Sequence, residues 1–177
     1  GYVDWTIFFR SWDLAGQFPK ILNDDVVGDA ATTLYQDALV MLDELERDNF
    51  FKLEAVIGFW PAAQENENEV YVFNEKKKDV ITKLNFLRQQ KPQGIRPNFC
   101  LADFISPANE GLNDYIGGFA VSAGSAVEEK CIEYEEHNDD YSSIMLKALA
   151  DRLAEALAEY VHELVRKKHW GYAKHEA

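Results

Sequence analysis

The longest amphipathic pattern in the chain lies near its C-terminal end and constrains the fold more than any other feature. Between Asp139 and Tyr172, apolar residues recur at steps of three and four: Met145, Leu149, Leu153, Ala156, Leu157, Tyr160, Val161, Leu164 and Val165. This spacing predicts one long helix with a single buried face. We expect Asp139 or Asp140 to cap its first turn and Gly171 to end it.

The polar side of this helix carries a row of like charges. Four acidic side chains follow one another at four-residue spacing: Asp151, Glu155, Glu159 and Glu163. Such neighbours repel each other by about 0.2 to 0.5 kcal/mol per pair in an isolated helix. One interpretation is a solvated face, with Arg152 offsetting Glu155 and Lys167 offsetting Glu163. The other is that Asp151, Arg152 and Glu155 face a polar cleft.

Composition and charge exclude several classes of protein. The 177 residues are 47% hydrophobic and 13% aromatic, which predicts a folded core in a single domain over 1–177. The net charge of -13 would repel a phosphate backbone, so we expect no nucleic-acid partner. No apolar run approaches the roughly 20 residues that cross a bilayer, and no signal pattern opens the chain. We therefore expect a cytoplasmic protein without a membrane partner.

Cysteine and histidine spacing predicts no metal site. Cys100 and Cys131 lie far apart in sequence and have no His partner at ligand spacing, so buried thiols are the expectation. His162 with Glu163 resembles the start of a zinc-protease helix motif, but Arg166 stands where the second His is needed. Surface histidines are favoured over metal ligands here.

The rest of the chain predicts shorter helices and antiparallel strands. Trp5, Phe8, Phe9 and Trp12 fall at helical spacing and would form an aromatic core face. Further helices are predicted at about 28–48 and at 126–136. Strands are predicted at 53–60, 70–73 and 115–121, whereas 80–87 suits either a strand or a helix.

Local details of the predicted strands complete the expected fold. Pro61 is expected to close the first strand, which pairs with the second as a hairpin with a longish loop. The lysines at 76–78 are expected to shield the hairpin edge. Gly117 and Gly118 would let a ligand or another backbone approach closely, although the Gly-x-Gly-x-x-Gly pattern of dinucleotide-binding folds is absent. The predicted class is α+β: an antiparallel sheet flanked by helices, with a long C-terminal amphipathic helix.

A series of short motifs carries a family resemblance along almost the whole chain. In one-letter code they are YVDW at 2–5, FF at 8–9, LAG at 14–16, VVG at 26–28, LRQQ at 87–90, CLADF at 100–104, YIG at 115–117, FAV at 119–121, DDY at 139–141, IM at 144–145, KALADRLAEA at 147–156, HE at 162–163 and WGY at 170–172. In this order they resemble the reactivation domain of cobalamin-dependent methionine synthase.

The resemblance implies a function, cofactors and partners. Such enzymes move a methyl group from methyltetrahydrofolate to homocysteine through cobalamin, with zinc in the homocysteine module. The reactivation domain binds S-adenosylmethionine and remethylates cobalamin that has oxidised to cob(II)alamin. Its implied partners are the cobalamin-binding module of the same enzyme and a flavodoxin-type electron donor.

The resemblance also implies site residues. Asp4 resembles the family aspartate that binds S-adenosylmethionine, and Glu155 resembles a helix carboxylate lining the same cleft. Without the resemblance, a turn or cap role would be favoured for Asp4. Asp151 and Arg152 match residues facing the cobalamin module, with an ordinary salt bridge as the alternative. No catalytic residue is expected, because the nucleophile is reduced cobalt and the leaving group a neutral thioether, so the protein supplies alignment and excludes water.

Two family features are absent from these 177 residues. There is no Arg-Pro-x-Pro-Gly-Tyr-Pro segment, which holds much of S-adenosylmethionine in the family, and no Asp-x-His-x-x-Gly cobalamin fingerprint. We therefore expect an incomplete piece of the reactivation domain that is inactive alone and meets cobalamin on another module. The alternative function is a non-catalytic acidic protein-interaction module on the same scaffold.

Overall fold

The fold was determined as a computed structural model, in which residues 2–91, 94–111 and 114–176 are described. Two compact units are present. Unit 1 comprises Gly1–Val56 and Ala120–Ala177, and unit 2 comprises Ile57–Phe119. The single domain over 1–177 stays a prediction.

The α-helices of the described residues lie in unit 1, and they agree closely with the sequence periodicity. They are α1 (Trp5–Ser11), α2 (Gly28–Arg47), α3 (Ala126–Glu136) and α4 (Asp140–Leu164). A π-helical turn, Val165–His169, extends α4. The predictions of a helix at about 28–48, one at 126–136 and a long C-terminal helix are confirmed.

The ends of α4 are formed by the residue types that the sequence indicated. Asp139 is the N-cap, and its Oδ1 accepts a hydrogen bond from the backbone N–H of Ser142 at 3.0 Å. Gly171 follows the π-helical turn in the left-handed region, with φ of +74°. Glycine adopts this conformation without a steric penalty, so the chain turns away from the helix axis here.

The core of unit 1 is built on the aromatic face of α1. Its buried members come from α1, α2, α4 and the short 3-10 helix after α1: Phe8, Phe9, Ile21, Ala31, Leu34, Ala38, Met145 and Leu149. Trp5 packs edge-on against Tyr35, with ring centroids 4.8 Å apart.

The Tyr141 hydroxyl donates to Asp37 at 2.7 Å and links α4 to α2. Burial, together with this hydrogen bond, raises the pKa of Tyr141 to about 12.

Among the described residues the sheet has four strands, which confirms the α+β class. The strands are β1 (Glu54–Asn66), β2 (Glu69–Phe73), β3 (Val80–Asn85) and β4 (Asp114–Ser122), in the order β3-β2-β1-β4. β2 pairs antiparallel with both β1 and β3. The segment left open at 80–87 is thus a strand, in which Leu84 pairs with the buried Val70.

Three local expectations about the hairpin were wrong. β1 continues through Pro61 to Asn66; pairing with β2 starts at Ala62, so Pro61 needs no ladder hydrogen bond on that side. The hairpin loop is only the two-residue turn at 67–68, because polar residues before it still pair. The lysines at 76–78 lie in the next turn, and β3 rather than the hairpin forms that edge of the sheet.

The paired glycines of β4 accommodate aromatic rings from β1. A Cβ atom added to Gly117 would lie 3.3 Å from the ring of Phe59, and one added to Gly118 would lie 3.3 Å from the ring of Trp60. The close approach predicted for Gly117 and Gly118 therefore exists, and the approaching group is a side chain of the same unit.

Arg88 joins three segments of unit 2. Its guanidinium donates to both carboxylate oxygens of Asp103, at 2.7 and 2.8 Å, and to the carbonyls of Glu67 and Asn98, at 2.6 and 2.8 Å. Asp103 also accepts from the backbone N–H of Cys100 at 2.8 Å. A bidentate arginine fixes direction as well as distance, so this cluster holds the loop beside the hairpin turn.

Asp103 is expected to stay ionised far below the usual range for aspartate. The Arg88 guanidinium first, and then the Cys100 backbone N–H, lower the pKa of Asp103 to about 2. A folded pKa below the unfolded value of about 3.9 gives stability that is fully present above that value and is lost as the pH falls towards 2. Carboxyl carbon NMR checks this. A midpoint above pH 3.5 for Asp103 would contradict the ion pair.

Candidate functional site

Asp4 is held at the start of α1 by the backbone that follows it. It is the N-cap of the helix, and its Oδ1 accepts hydrogen bonds from the N–H groups of Thr6 at 2.8 Å and Ile7 at 3.4 Å. The side chain is exposed, and Oδ2 accepts no hydrogen bond from any described residue. The cap role considered from sequence is therefore present, and it leaves one carboxylate oxygen available to a ligand.

The path of the opening segment relates Asp4 to α4. Before Asp4, Tyr2 contacts Tyr160 and Glu163; after it, Phe8 and Phe9 share a core cluster with Met145 and Leu149. The segment therefore runs antiparallel to α4, and Asp4 lies at the level of the turns between Leu149 and Tyr160. Those turns carry all three other predicted site residues: Asp151, Arg152 and Glu155.

Glu155 and its neighbours form one flank of α4. Glu155 follows Asp151 by four residues and Arg152 by three, so the three side chains are neighbours on the helix surface. The Glu155 side chain is exposed and forms no hydrogen bond or ion pair with the described residues. A close approach of the Asp4 and Glu155 carboxylates stays a prediction.

Arg152 pairs with Asp151 rather than with Glu155. Its Nη2 donates to Asp151 Oδ2; the Arg152 side chain is only 13% exposed, whereas that of Asp151 is 71% exposed. The salt bridge considered as the alternative for these residues is thus present. A role facing the cobalamin module stays a prediction. The expectation that Arg152 offsets the charge of Glu155 was wrong, because the Arg152 guanidinium pairs with the adjacent Asp151.

Glu163 is the centre of a contact that the sequence did not reveal. Its Oε2 accepts a hydrogen bond from the Tyr2 hydroxyl, and its Oε1 accepts from Lys167 Nζ at 2.7 Å. Lys167 first, and then Tyr2, hold the pKa of Glu163 below its usual value. The predicted pairing of Glu163 with Lys167 is confirmed. Its pairing with Tyr2 spans almost the whole chain, so no local pattern indicates it.

The side chains of Asp4, Asp151 and Glu155 are exposed. Two clefts of unit 1, of 460 and 380 Å³, contain none of the four predicted site residues in their linings. Within residues 2–91, 94–111 and 114–176, no group of three or more His, Cys, Asp or Glu side chains is arranged to hold a metal ion. Over the same ranges, no helix has the length and apolar character needed to cross a membrane.

The fold is an α+β module that exposes the carboxylates of Asp4, Asp151 and Glu155. The sequence model of one family, described as the activation domain of vitamin B12-dependent methionine synthase, matches residues 1–177. The chain belongs to this family. That domain is part of methionine synthase, a methyltransferase.

A solved structure agrees with this assignment. The chain is similar to a crystal structure of the MetH reactivation domain bound to AdoHcy, with 45% sequence identity and a TM-score of 0.92. The similarity covers 99% of this chain and 54% of that one, so the chain spans about half the length of the structure it matches.

Proposed function

We propose that this chain is part of the reactivation domain of a cobalamin-dependent methionine synthase and contributes to binding S-adenosylmethionine. One observation carries the proposal: the 45% identity, over 99% of the chain, to a reactivation domain with AdoHcy bound. S-adenosylmethionine supplies a methyl group on a sulfonium sulfur, and cobalamin held by another module accepts it once reduced by a flavodoxin-type donor.

The donor set of unit 1 fits this ligand. S-adenosylmethionine carries an α-ammonium group and a sulfonium, both positively charged. Asp4 keeps Oδ2 available while Oδ1 is fixed by the backbone, so the carboxylate reaches a ligand without reorienting. Glu155 supplies a second exposed carboxylate at a matching level of α4. These two groups would bind and orient the donor, and no proton transfer is required of them.

Asp151 and Arg152 complete the proposal at the surface of α4. Their mutual ion pair fixes the guanidinium while leaving the Asp151 carboxylate exposed. We assign this pair to the contact with the cobalamin module, where exposed charges steer docking more than they add affinity. Zinc belongs to the homocysteine module of the same enzyme. A cytoplasmic location accords with the two buried free thiols, Cys100 and Cys131.

Calorimetry and absorption spectroscopy on the complete protein test the proposed function. AdoHcy should bind with one site, and inactive cob(II) enzyme should return to the methylated form when S-adenosylmethionine and a reductant are both supplied. Omission of either reagent is the control. A complete protein that binds neither AdoHcy nor S-adenosylmethionine would instead favour the acidic protein-interaction module.

The 177-residue chain alone is expected to bind S-adenosylmethionine weakly or not at all. Its 177 residues do not contain the Arg-Pro-x-Pro-Gly-Tyr-Pro segment that holds much of the ligand in the family, and the side chains of Asp4 and Glu155 are exposed. Titration calorimetry of this chain against S-adenosylmethionine measures the difference from the complete protein. Micromolar affinity for the isolated chain would contradict the expectation.

A further inference from the structure

The side chain of Tyr2 contacts α4 two residues before Asp4. Neither Tyr2 nor Val3 forms a backbone hydrogen bond with the described residues, and the first turn of α1 closes through a long bond of 3.4 Å from Phe8 N–H to the Asp4 carbonyl. Tyr2 is nevertheless fixed at both ends of its side chain. Its ring packs edge-on against Tyr160 with centroids 5.8 Å apart, and its hydroxyl donates to Glu163.

Glu163 is itself fixed. Lys167, in the π-helical turn that extends α4, donates to the second carboxylate oxygen of Glu163 at 2.7 Å, and both side chains are less than one third exposed. The hydrogen bonds among Lys167, Glu163 and Tyr2 therefore anchor Tyr2 to the end of α4 and the π-helical turn after it. We call these three residues the terminal clamp.

Tyr2 of the terminal clamp lies two residues before Asp4, whose carboxylate we assign to the ligand. Asp4 is bounded by the clamp on one side and by the buried rings of Phe8 and Phe9 on the other. If the Tyr2 end were released, only the core side would restrain a cap residue at the first turn of a seven-residue helix. Helix ends without such support fray, and ligand binding would then have to order Asp4 anew.

We propose that Glu163, acting through Tyr2, is a positioning residue that holds Asp4 in place for the cationic methyl donor. The inference rests on the proposed function, because it assigns Asp4 to that ligand. Glu163 does not touch the ligand in this account. Its carboxylate acts only on the backbone that precedes Asp4.

Tyr2→Phe in the complete protein tests the inference with minimal disturbance, because the ring contact with Tyr160 is kept. AdoHcy affinity measured by calorimetry should fall about 3- to 10-fold, the equilibrium equivalent of one hydrogen bond. Amide hydrogen exchange of a peptide covering residues 2–9 should accelerate, while the urea midpoint of unfolding stays unchanged.

Glu163→Gln should act in the same direction. Tyr134→Phe, which removes a hydroxyl elsewhere in unit 1, should change affinity less than twofold.

A double-mutant cycle separates positioning from a general structural role. If Tyr2 acts through Asp4, adding Tyr2→Phe to Asp4→Asn should cause no further loss of affinity. Unchanged AdoHcy binding by Tyr2→Phe, or an equal loss in the Asp4→Asn background, would overturn the inference while leaving the proposed function intact. If the unmodified complete protein fails to bind AdoHcy, the proposed function fails and the inference falls with it.

Discussion

Asp4→Asn is expected to weaken S-adenosylmethionine binding to the complete protein by about 10- to 100-fold, which corresponds to one hydrogen bond to a charged group. Asparagine is as good an N-cap as aspartate, so the bonds to Thr6 and Ile7 are retained while the negative charge is lost. The free energy of unfolding should change by less than about 1 kcal/mol. Calorimetry and urea unfolding measure the two effects.

The N-cap of α4 provides a matched control. Asp139→Asn makes the same chemical change at the N-cap of α4, where the carboxylate serves only Ser142 and the helix end. The Asp139→Asn protein should bind S-adenosylmethionine with the same affinity as the unmodified protein. Equal losses for Asp4→Asn and Asp139→Asn would mean that the effect comes from capping and that Asp4 does not contact the ligand.

The comparison of two ligands shows which cation Asp4 contacts. AdoHcy keeps the α-ammonium group but has a neutral thioether in place of the sulfonium. We expect Asp4 to accept from the ammonium, so Asp4→Asn should weaken the binding of both ligands to a similar extent. A loss of affinity confined to S-adenosylmethionine would mean that Asp4 contacts the sulfonium instead.

Phe9→Ala is expected to destabilise the protein by about 3 to 5 kcal/mol, the range for deleting a buried aromatic ring. Phe9 is fully buried and packs against the rings of Phe8, Phe18 and Tyr35, with centroids 5.7, 6.3 and 6.4 Å away. Urea unfolding followed by near-UV circular dichroism measures the loss.

Phe104→Ala is the control for the same chemical change at an exposed position. Its side chain is 73% exposed, so its removal should change the free energy of unfolding by less than about 1 kcal/mol. A Phe9→Ala protein with nearly unmodified stability would contradict the packing of α1 that positions Asp4. Equal losses from Phe9→Ala and Phe104→Ala would contradict the assigned burial of these rings.

The sequence predicts those parts of the fold that depend on neighbours along the chain. The periodicity of α4, its cap at Asp139 and the aromatic face of α1 are all local, because three- and four-residue spacing determines which side chains share a face. The helix predicted at 126–136 has the bounds observed for α3. The course of β1 through Pro61 was not predictable in this way, because it depends on where β2 begins to pair.

In the candidate site, too, the sequence predicts local features and misses contacts between distant residues. Asp4 and Glu155 are suggested by family motifs, and the cap geometry of Asp4 follows from its position before an aromatic helix. The contact between Tyr2 and Glu163 and the cluster around Arg88 join residues far apart in sequence. Tertiary packing creates such pairs, so periodicity and composition carry no signal for them.

A crystal structure of the complete reactivation domain with S-adenosylmethionine would show whether Asp4 and Glu155 bind the methyl donor. We expect an Asp4 carboxylate oxygen about 3 Å from the α-amino nitrogen of the ligand, with Glu155 facing the same ligand. A ligand bound elsewhere, with the carboxylates of Asp4 and Glu155 both in solvent, would contradict it.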